Sequence, residues 1–336
     1  MKKIINEPAQ YTDDMLKGIY RAHPDEVGFV NDDLRCYCMK HKVPGKVAIV
    51  TGGGTGHLPL FLGYVGENLL DGCAVGGVFQ SPSAEQILEV SKQVDSGAGV
   101  LYLYGNYTGD IMNFDMAAEM CDLEDIQTRS IVGADDVNSN ADVHARRGVA
   151  GIFFLYKCAG AKAAQMGTLD QVLAAAQKAK DNTRTVGFAL TPCIIPEVGH
   201  SNFSLGENEM AMGMGIHGEP GVWNGPVKTA DALAAESLEA LLNDMPVASG
   251  EEVALLINGL GATSVEELYI LSNSVSQLLE EKGISIFRTF VGEFATSMEM
   301  AGASISVMKV DQETKELLDL PVNTPFYCQN QGGYHD

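Results

Sequence analysis

Seven short apolar runs mark the chain at residues 46–50, 99–104, 129–134, 186–190, 253–257, 284–291 and 303–309. Within them apolar side chains follow one another instead of alternating with polar ones. That pattern predicts strands covered on both faces. Between the runs, apolar positions recur three and four residues apart, the spacing of a helix with one buried side. Three of these helices carry a start signal. Ser83-Ala-Glu-Gln86 and Thr168-Leu-Asp-Gln171 have the pattern of a capping box, and Leu169, Val172, Leu173 and Ala176 then fall on one face. Ser264-Val-Glu-Glu267 opens a third helix, expected to run to about Glu281. Strands alternating with helices of this length predict an α/β fold, with central sheets flanked by helices.

The run from 149 to 156 is only strand-length, and Lys157 closes it. No apolar stretch reaches the roughly 18 residues that a membrane-spanning helix needs. The segment 191–221 is dense in proline, glycine and small polar residues, and reads as one long structured loop. Its Phe203, Met210, Met212, Met214 and Ile216 argue against disorder. With 336 residues the chain is long enough for two domains, expected at 1–185 and 186–336.

Charge narrows the partners. The formal net charge is −22, spread along the chain rather than gathered in a tail. Such a surface repels phosphate backbones and anionic lipid headgroups, so neither a nucleic acid nor a membrane is expected to bind. Met1-Lys-Lys is followed by no apolar stretch, so no signal peptide is expected. The seven cysteines are odd in number and scattered, which suits a reduced, cytoplasmic protein. Cys36 and Cys38 form a C-x-C pair with no second pair to complete a zinc site, so no metal is expected.

Chemistry is expected around "VAIVTGGGTGHLPL". A dinucleotide fingerprint fails there: the third glycine would fall at His57 in one register and at Pro59 in the other. No Gly-Lys-Ser/Thr occurs anywhere in the chain, so no phosphate-cradling loop is present either. Two readings of residues 52–56 remain. In one they are a tight turn after a strand, capped by His57. In the other the glycines let a small polar ligand reach backbone N–H groups, with His57 acting on it. His217, among the glycines of "MGMGIHGEPG", has space for a ligand beside it, and Glu219 is placed to orient its ring. It reads equally as a structural histidine of a turn. Asp110 follows the run ending at Tyr104, where ligands gather in α/β sheets, and is either a base or a helix N-cap. Asp135 and Asp136 also follow a strand. His23, His41 and His144, the last beside the arginines of "ADVHARRG", read as solvated, nothing marks His200, and His335 lies in a polar tail expected to be disordered.

"GGGTGH", "NYTGD" and "GIHGEPG" together resemble the K subunits of dihydroxyacetone kinases, in order and in spacing. "FQSPS", "RRGVAG", "NEMAMGMGIHGEPG", "NGLGAT" and "TSMEMAGASIS" extend the resemblance over nearly the whole chain. It implies two α/β domains, a homodimer, and a site in which His217 bonds covalently to the ketone carbon of dihydroxyacetone as a hemiaminal. His57 and Asp110 correspond to the acid–base pair, and the backbone around Gly54, Thr55 and Gly56 to the loop that holds the substrate's hydroxyls. No nucleotide is implied on this chain: ADP or ATP with magnesium belongs to a separate L subunit, recharged in some members from phosphoenolpyruvate. Two positions depart from the pattern. Leu58 stands where these subunits usually carry glutamate, and Gly105 where they usually carry a lysine that contributes to substrate contacts. The departures keep two alternatives in view, a longer ketose such as erythrulose and a non-catalytic sensor acting as a transcriptional coactivator. A metal-dependent hydrolase built on Asp110 and Asp135 finds little support in the spacing.

Overall fold

The computed structural model describes residues 2–330. Strands β1 (Val27–Val30), β2 (Asp33–Met39), β3 (Ala48–Thr55), β4 (Gly72–Val78), β5 (Val100–Gly105) and β6 (Thr128–Gly133) form a first sheet in the order β1-β2-β4-β3-β5-β6. Its β4-β3-β5-β6 part is parallel, and β1 and β2 add antiparallel at one edge. Strands β7 (Thr183–Ala189), β8 (Glu209–Met212), β9 (Trp223–Pro226), β10 (Glu252–Gly259), β11 (Ser285–Gly292) and β12 (Gly302–Lys309) form a second sheet in the order β11-β10-β12-β7-β8-β9. There only β10 and β11 run parallel. A hairpin of β13 (Val322–Asn323) and β14 (Cys328–Gln329) follows. The helices are α1 (Tyr11–Ala22), α2 (Ala84–Val94), α3 (Thr108–Asp122), α4 (Ile152–Ala164), α5 (Leu169–Asp181), α6 (Ala230–Asp244), α7 (Val265–Glu281) and α8 (Gln312–Asp319).

Strand alternation sorts these elements into layers. From β3 and β5, Ala48, Val50, Val100, Tyr102 and Tyr104 pack with α2 and α3, whereas Ile49, Leu101 and Leu103 pack with α4 and α5. From β10, Val253, Leu255 and Ile257 pack with α6 and α7, whereas Ala254 and Leu256 join α4 and α5. The order is therefore helix, sheet, helix, sheet, helix, and both sheets share the middle layer. This explains the run 149–156, which is not a strand. It enters α4, a helix buried on nearly every side because a sheet covers it from each direction. Lys157 does not end it: the side chain is buried and donates to the Leu320 carbonyl at 2.8 Å.

All seven expected strands are present with shifted ends. The largest shift is at β3, which continues through Gly52, Gly53 and Gly54 to Thr55, paired along this length with β4. The reading of residues 52–56 as a tight turn does not hold, since the chain leaves the strand only at Gly56. The capping boxes of α2 and α5 form as expected. At α7 only half does, because Glu267 bonds the Ser264 hydroxyl rather than the Ser264 amide. The long loop 191–221 contains β8. Among the described residues no helix is long and apolar enough to cross a membrane. His335 lies outside the described residues.

Candidate functional site

The parallel strands β3, β4, β5 and β6 all end at one rim of the first sheet, where the turns that follow them meet, as ligand sites of α/β sheets do. After β3 come Gly56 and His57. After β4 comes Phe79, whose φ of +56° is a left-handed conformation that a bulky residue seldom adopts. The β3 glycines make this turn possible. A Cβ on Gly54 would lie 2.7–2.9 Å from the backbone of Phe79 and Gln80, and one on Gly56, whose φ is +111°, 2.7 Å from the Phe79 ring. Phe79 thus settles over His57, with ring centroids 4.8 Å apart and planes 17° from parallel.

His57 is fixed and dry. It is 1% exposed, and its Nδ1 donates to the Thr296 carbonyl at 2.8 Å. That bond leaves Nε2 unprotonated, and among the described residues no group hydrogen-bonds this buried atom. Burial first, and then the neighbouring His217, push the His57 pKa down to about 3. The ring therefore stays a neutral hydrogen-bond acceptor at working pH.

His217 comes from the second sheet. The loop between β8 and β9 reaches across, and the two imidazole centroids stand 4.7 Å apart, nearly perpendicular at 82°. Phe79 and Tyr107 also meet His217 edge to face, at 5.2 and 4.8 Å. Its Nδ1 pairs with Glu219 Oε1 at 2.9 Å, while Glu219 Oε2 accepts from the His217 amide at 3.0 Å. The expected orienting partner is in place. Burial opposes the charge on Glu219, but the His217 hydrogen bond and the nearby Arg147 hold its carboxyl down at about 2. A carboxylate accepts only, so in the neutral His217 ring Nδ1 carries the proton and Nε2 keeps its lone pair.

Asp110 lies in the first turn of α3. It is not the N-cap, a place taken by Tyr107. The residue is 6% exposed, Oδ1 has no hydrogen-bond partner among the described residues, and burial raises its pKa to about 6 against the lowering Ser81 hydrogen bond. It is thus a carboxyl able to give or take a proton near neutrality. Asp135 does other work: its two oxygens accept from the Val149 and Gly151 amides at 2.9 and 2.8 Å, just before α4. Thr55 also points elsewhere, its hydroxyl bonded to the Gly76 carbonyl at 2.8 Å.

The chain matches the Dak1 domain model over residues 17–326. This chain belongs to the Dak1 family. Over 97% of its length and 99% of the relative's, it is 42% identical to the dihydroxyacetone-binding subunit DhaK of PTS-dependent dihydroxyacetone kinase 2 from Listeria innocua. It is 41% identical to the D-erythrulose kinase of Mycolicibacterium smegmatis, of which it covers 58%. Among solved structures, the dihydroxyacetone kinase operon co-activator DhaQ superposes with a TM-score of 0.87 at 33% identity, covering 94% of this chain and 97% of that one.

The Dak1 chain brings His57, Asp110 and His217 to one place from three distant segments. Sequence reasoning read His144 of "ADVHARRG" as solvated, and it is exposed. The arginines beside it are not: Arg146 is buried in a two-bond pair with Asp244, and Arg147 bonds Asp136. Asp244 is 98 positions from Arg146 and Asp136 is 11 from Arg147, both outside helical or strand-neighbour spacing, so no local pattern announces them. The Thr296 carbonyl escaped for a similar reason, because backbone groups carry no residue signature.

Proposed function

We propose that this Dak1 chain is the dihydroxyacetone-binding subunit of a dihydroxyacetone kinase, holding the ketone on His217 while a separate L subunit delivers the phosphoryl group. The observation that carries this reading is the pair of imidazoles 4.7 Å apart, each with Nδ1 bonded to an acceptor and Nε2 left free. One Nε2 is buried and serves as acceptor, and the other belongs to a partly exposed ring and serves as nucleophile. The His217 lone pair adds to the ketone carbon, and the carbonyl π pair moves to oxygen. That oxygen takes a proton from Asp110, and the imidazole returns to neutrality by releasing its Nδ1 proton through Glu219 to solvent. The bond selects ketones and aldehydes over glycerol and fixes the orientation of a substrate with few other handles. His57 Nε2 accepts a hydrogen from a substrate hydroxyl. Asp110, now a carboxylate, takes the proton of the terminal hydroxyl as that oxygen attacks the phosphoryl group. The backbone of Gly54, Thr55 and Gly56 lines the hydroxyl side of the site.

The nucleotide and its magnesium belong on the L subunit, with phosphoenolpyruvate as the ultimate donor. We place the protein in the cytoplasm as a homodimer whose two domains are residues 1–185 and 186–336. The test is chemical. Incubation with dihydroxyacetone should add one substrate mass to the intact chain in native mass spectrometry, and a crystal soak should show density continuous from His217 Nε2 to the ketone carbon. Binding unchanged in His217→Ala would sink the covalent role.

A second reading is favoured by Gly105 together with the likeness to a co-activator. Without a lysine there, the chain would capture the ketone and report it to a transcription regulator. Purified chain, L subunit and phosphoryl donor decide between them: ketose phosphate supports the kinase, and adduct without product supports the sensor.

A further inference from the structure

Arg147 stands behind His217 and takes no part in the chemistry just described. It lies in the first-sheet half of the chain, between β6 and α4. Its backbone is pinned to a turn: its amide donates to the Ser139 hydroxyl at 3.0 Å, and its carbonyl accepts from the Asp136 amide at 3.1 Å. Its guanidinium reaches three groups at once. Nε and Nη2 lie 3.0 and 2.9 Å from Asp136 Oδ2. Nη2 also donates to the Gly213 carbonyl at 2.8 Å, and Nη1 stands 3.9 Å from Glu219 Oε2. Gly213 and Glu219 sit on the β8–β9 loop that carries His217, so the arginine ties the two halves of the site together. Gly215 makes room for this, because a Cβ there would come within 2.5 Å of Nη1 and 2.1 Å of Glu219 Oε2.

We infer that Arg147 is a positioning residue, which fixes the His217 loop and keeps the Glu219 carboxylate charged and seated on Nδ1, so that Nε2 remains the attacking nitrogen. The inference rests on the covalent role of His217. Its physical basis is the planar guanidinium fork, which serves a carboxylate, a carbonyl and a second carboxylate from one side chain. A lysine ammonium is a single point and reaches only part of that set. Partners one step removed from a reacting imidazole commonly change its performance by about 10–100-fold, as the carboxylates behind metal-bound histidines do.

The test is a double-mutant cycle read as the dissociation constant for dihydroxyacetone, with the fraction of chain carrying one substrate mass in native mass spectrometry as a second readout. Glu219→Gln should weaken adduct formation about 10–100-fold and Arg147→Met about tenfold. In the Glu219→Gln background, Arg147→Met should cost less than it does in the wild type, because the route through Glu219 is already cut and only the Gly213 contact remains. Arg147→Lys should restore part of the loss. Full additivity of the two changes, or an unaltered constant in Arg147→Met, would overturn the inference while the wild-type adduct stands. Absence of an adduct in the wild type would instead sink the covalent reading and this role with it. Should Arg147→Met fail to fold, the cycle runs with Arg147→Lys and the same criterion of additivity.

Discussion

Asp110→Asn separates what the aspartate does for the chemistry from what it does to the fold. Burial lifts its pKa from 3.8 to about 6, so the folded protein resists the charged form. The rise of about 2 units corresponds to roughly 3 kcal/mol, an upper bound, at 1.36 kcal/mol per unit. The sign follows from linkage. Below pH 4 the carboxyl is protonated in both states and costs nothing. Between pH 4 and 6 the unfolded chain loses the proton first, so stability falls as pH rises, and above 6 the penalty is constant. Asparagine stays neutral throughout and keeps a partner for Ser81. The variant should therefore match wild type near pH 4 and exceed it above pH 6 by about 1–3 kcal/mol, a few degrees in Tm for a chain of this size. Turnover with the L subunit should fall by at least about 100-fold, since a base is gone. Chemical denaturation at several pH values and a coupled assay measure the two effects. A variant no more stable than wild type at pH 7.5 would refute the burial argument. One with unchanged turnover would refute the assignment of the base.

Two further substitutions test the frame around the site. Gly54→Ala places a Cβ 2.7–2.9 Å from the Phe79 and Gln80 backbone, so it should cost about 1–3 kcal/mol and weaken dihydroxyacetone binding by displacing Phe79 from His57. Lys157→Met removes a buried ammonium whose pKa burial pulls down to about 7. A lowered lysine makes wild-type stability poorest below pH 7 and improves it as pH rises from 7 towards 10, and that slope should flatten in the methionine variant when denaturation midpoints are compared between pH 6.5 and 9.

How much of this was legible depended on how local the signal was. The apolar strands and the capping boxes were visible because neighbouring residues define them. So were His57, Asp110 and His217, polar residues in places where strands end or glycines crowd. The strands β1, β2, β4, β8 and β9 were not, since they are short or interrupted by glycine and polar residues. The run at β3 misled for a definite reason. Glycine usually marks a turn or weakens a strand, and here it stays in the strand because another loop passes too close for any side chain. The entry into α4 misled in the opposite sense: a helix covered on both sides shows no polar stripe, so its apolar run has no helical period.

The two departures from the pattern of dihydroxyacetone kinase K subunits are not equivalent. Leu58 lines a cleft of about 410 Å³ with Lys3, Ile4, Tyr11, Met15 and Met298, whereas His57, its neighbour, faces Phe79 and His217. A leucine there adds apolar contact to the N-terminal segment, and its effect on substrate must pass through the His57 backbone. Gly105 acts directly. A Cβ at that position would stand 3.1–3.2 Å from the Tyr107 ring, and the Tyr107 hydroxyl donates to the Gly148 carbonyl at 3.1 Å. With no side chain at 105, the ring lies against the strand end and stands nearly perpendicular to His217, so the wall it forms beside that ring is aromatic and uncharged. A change of ketose, or loss of phosphoryl transfer, should therefore trace to the Gly105–Tyr107 pair before Leu58.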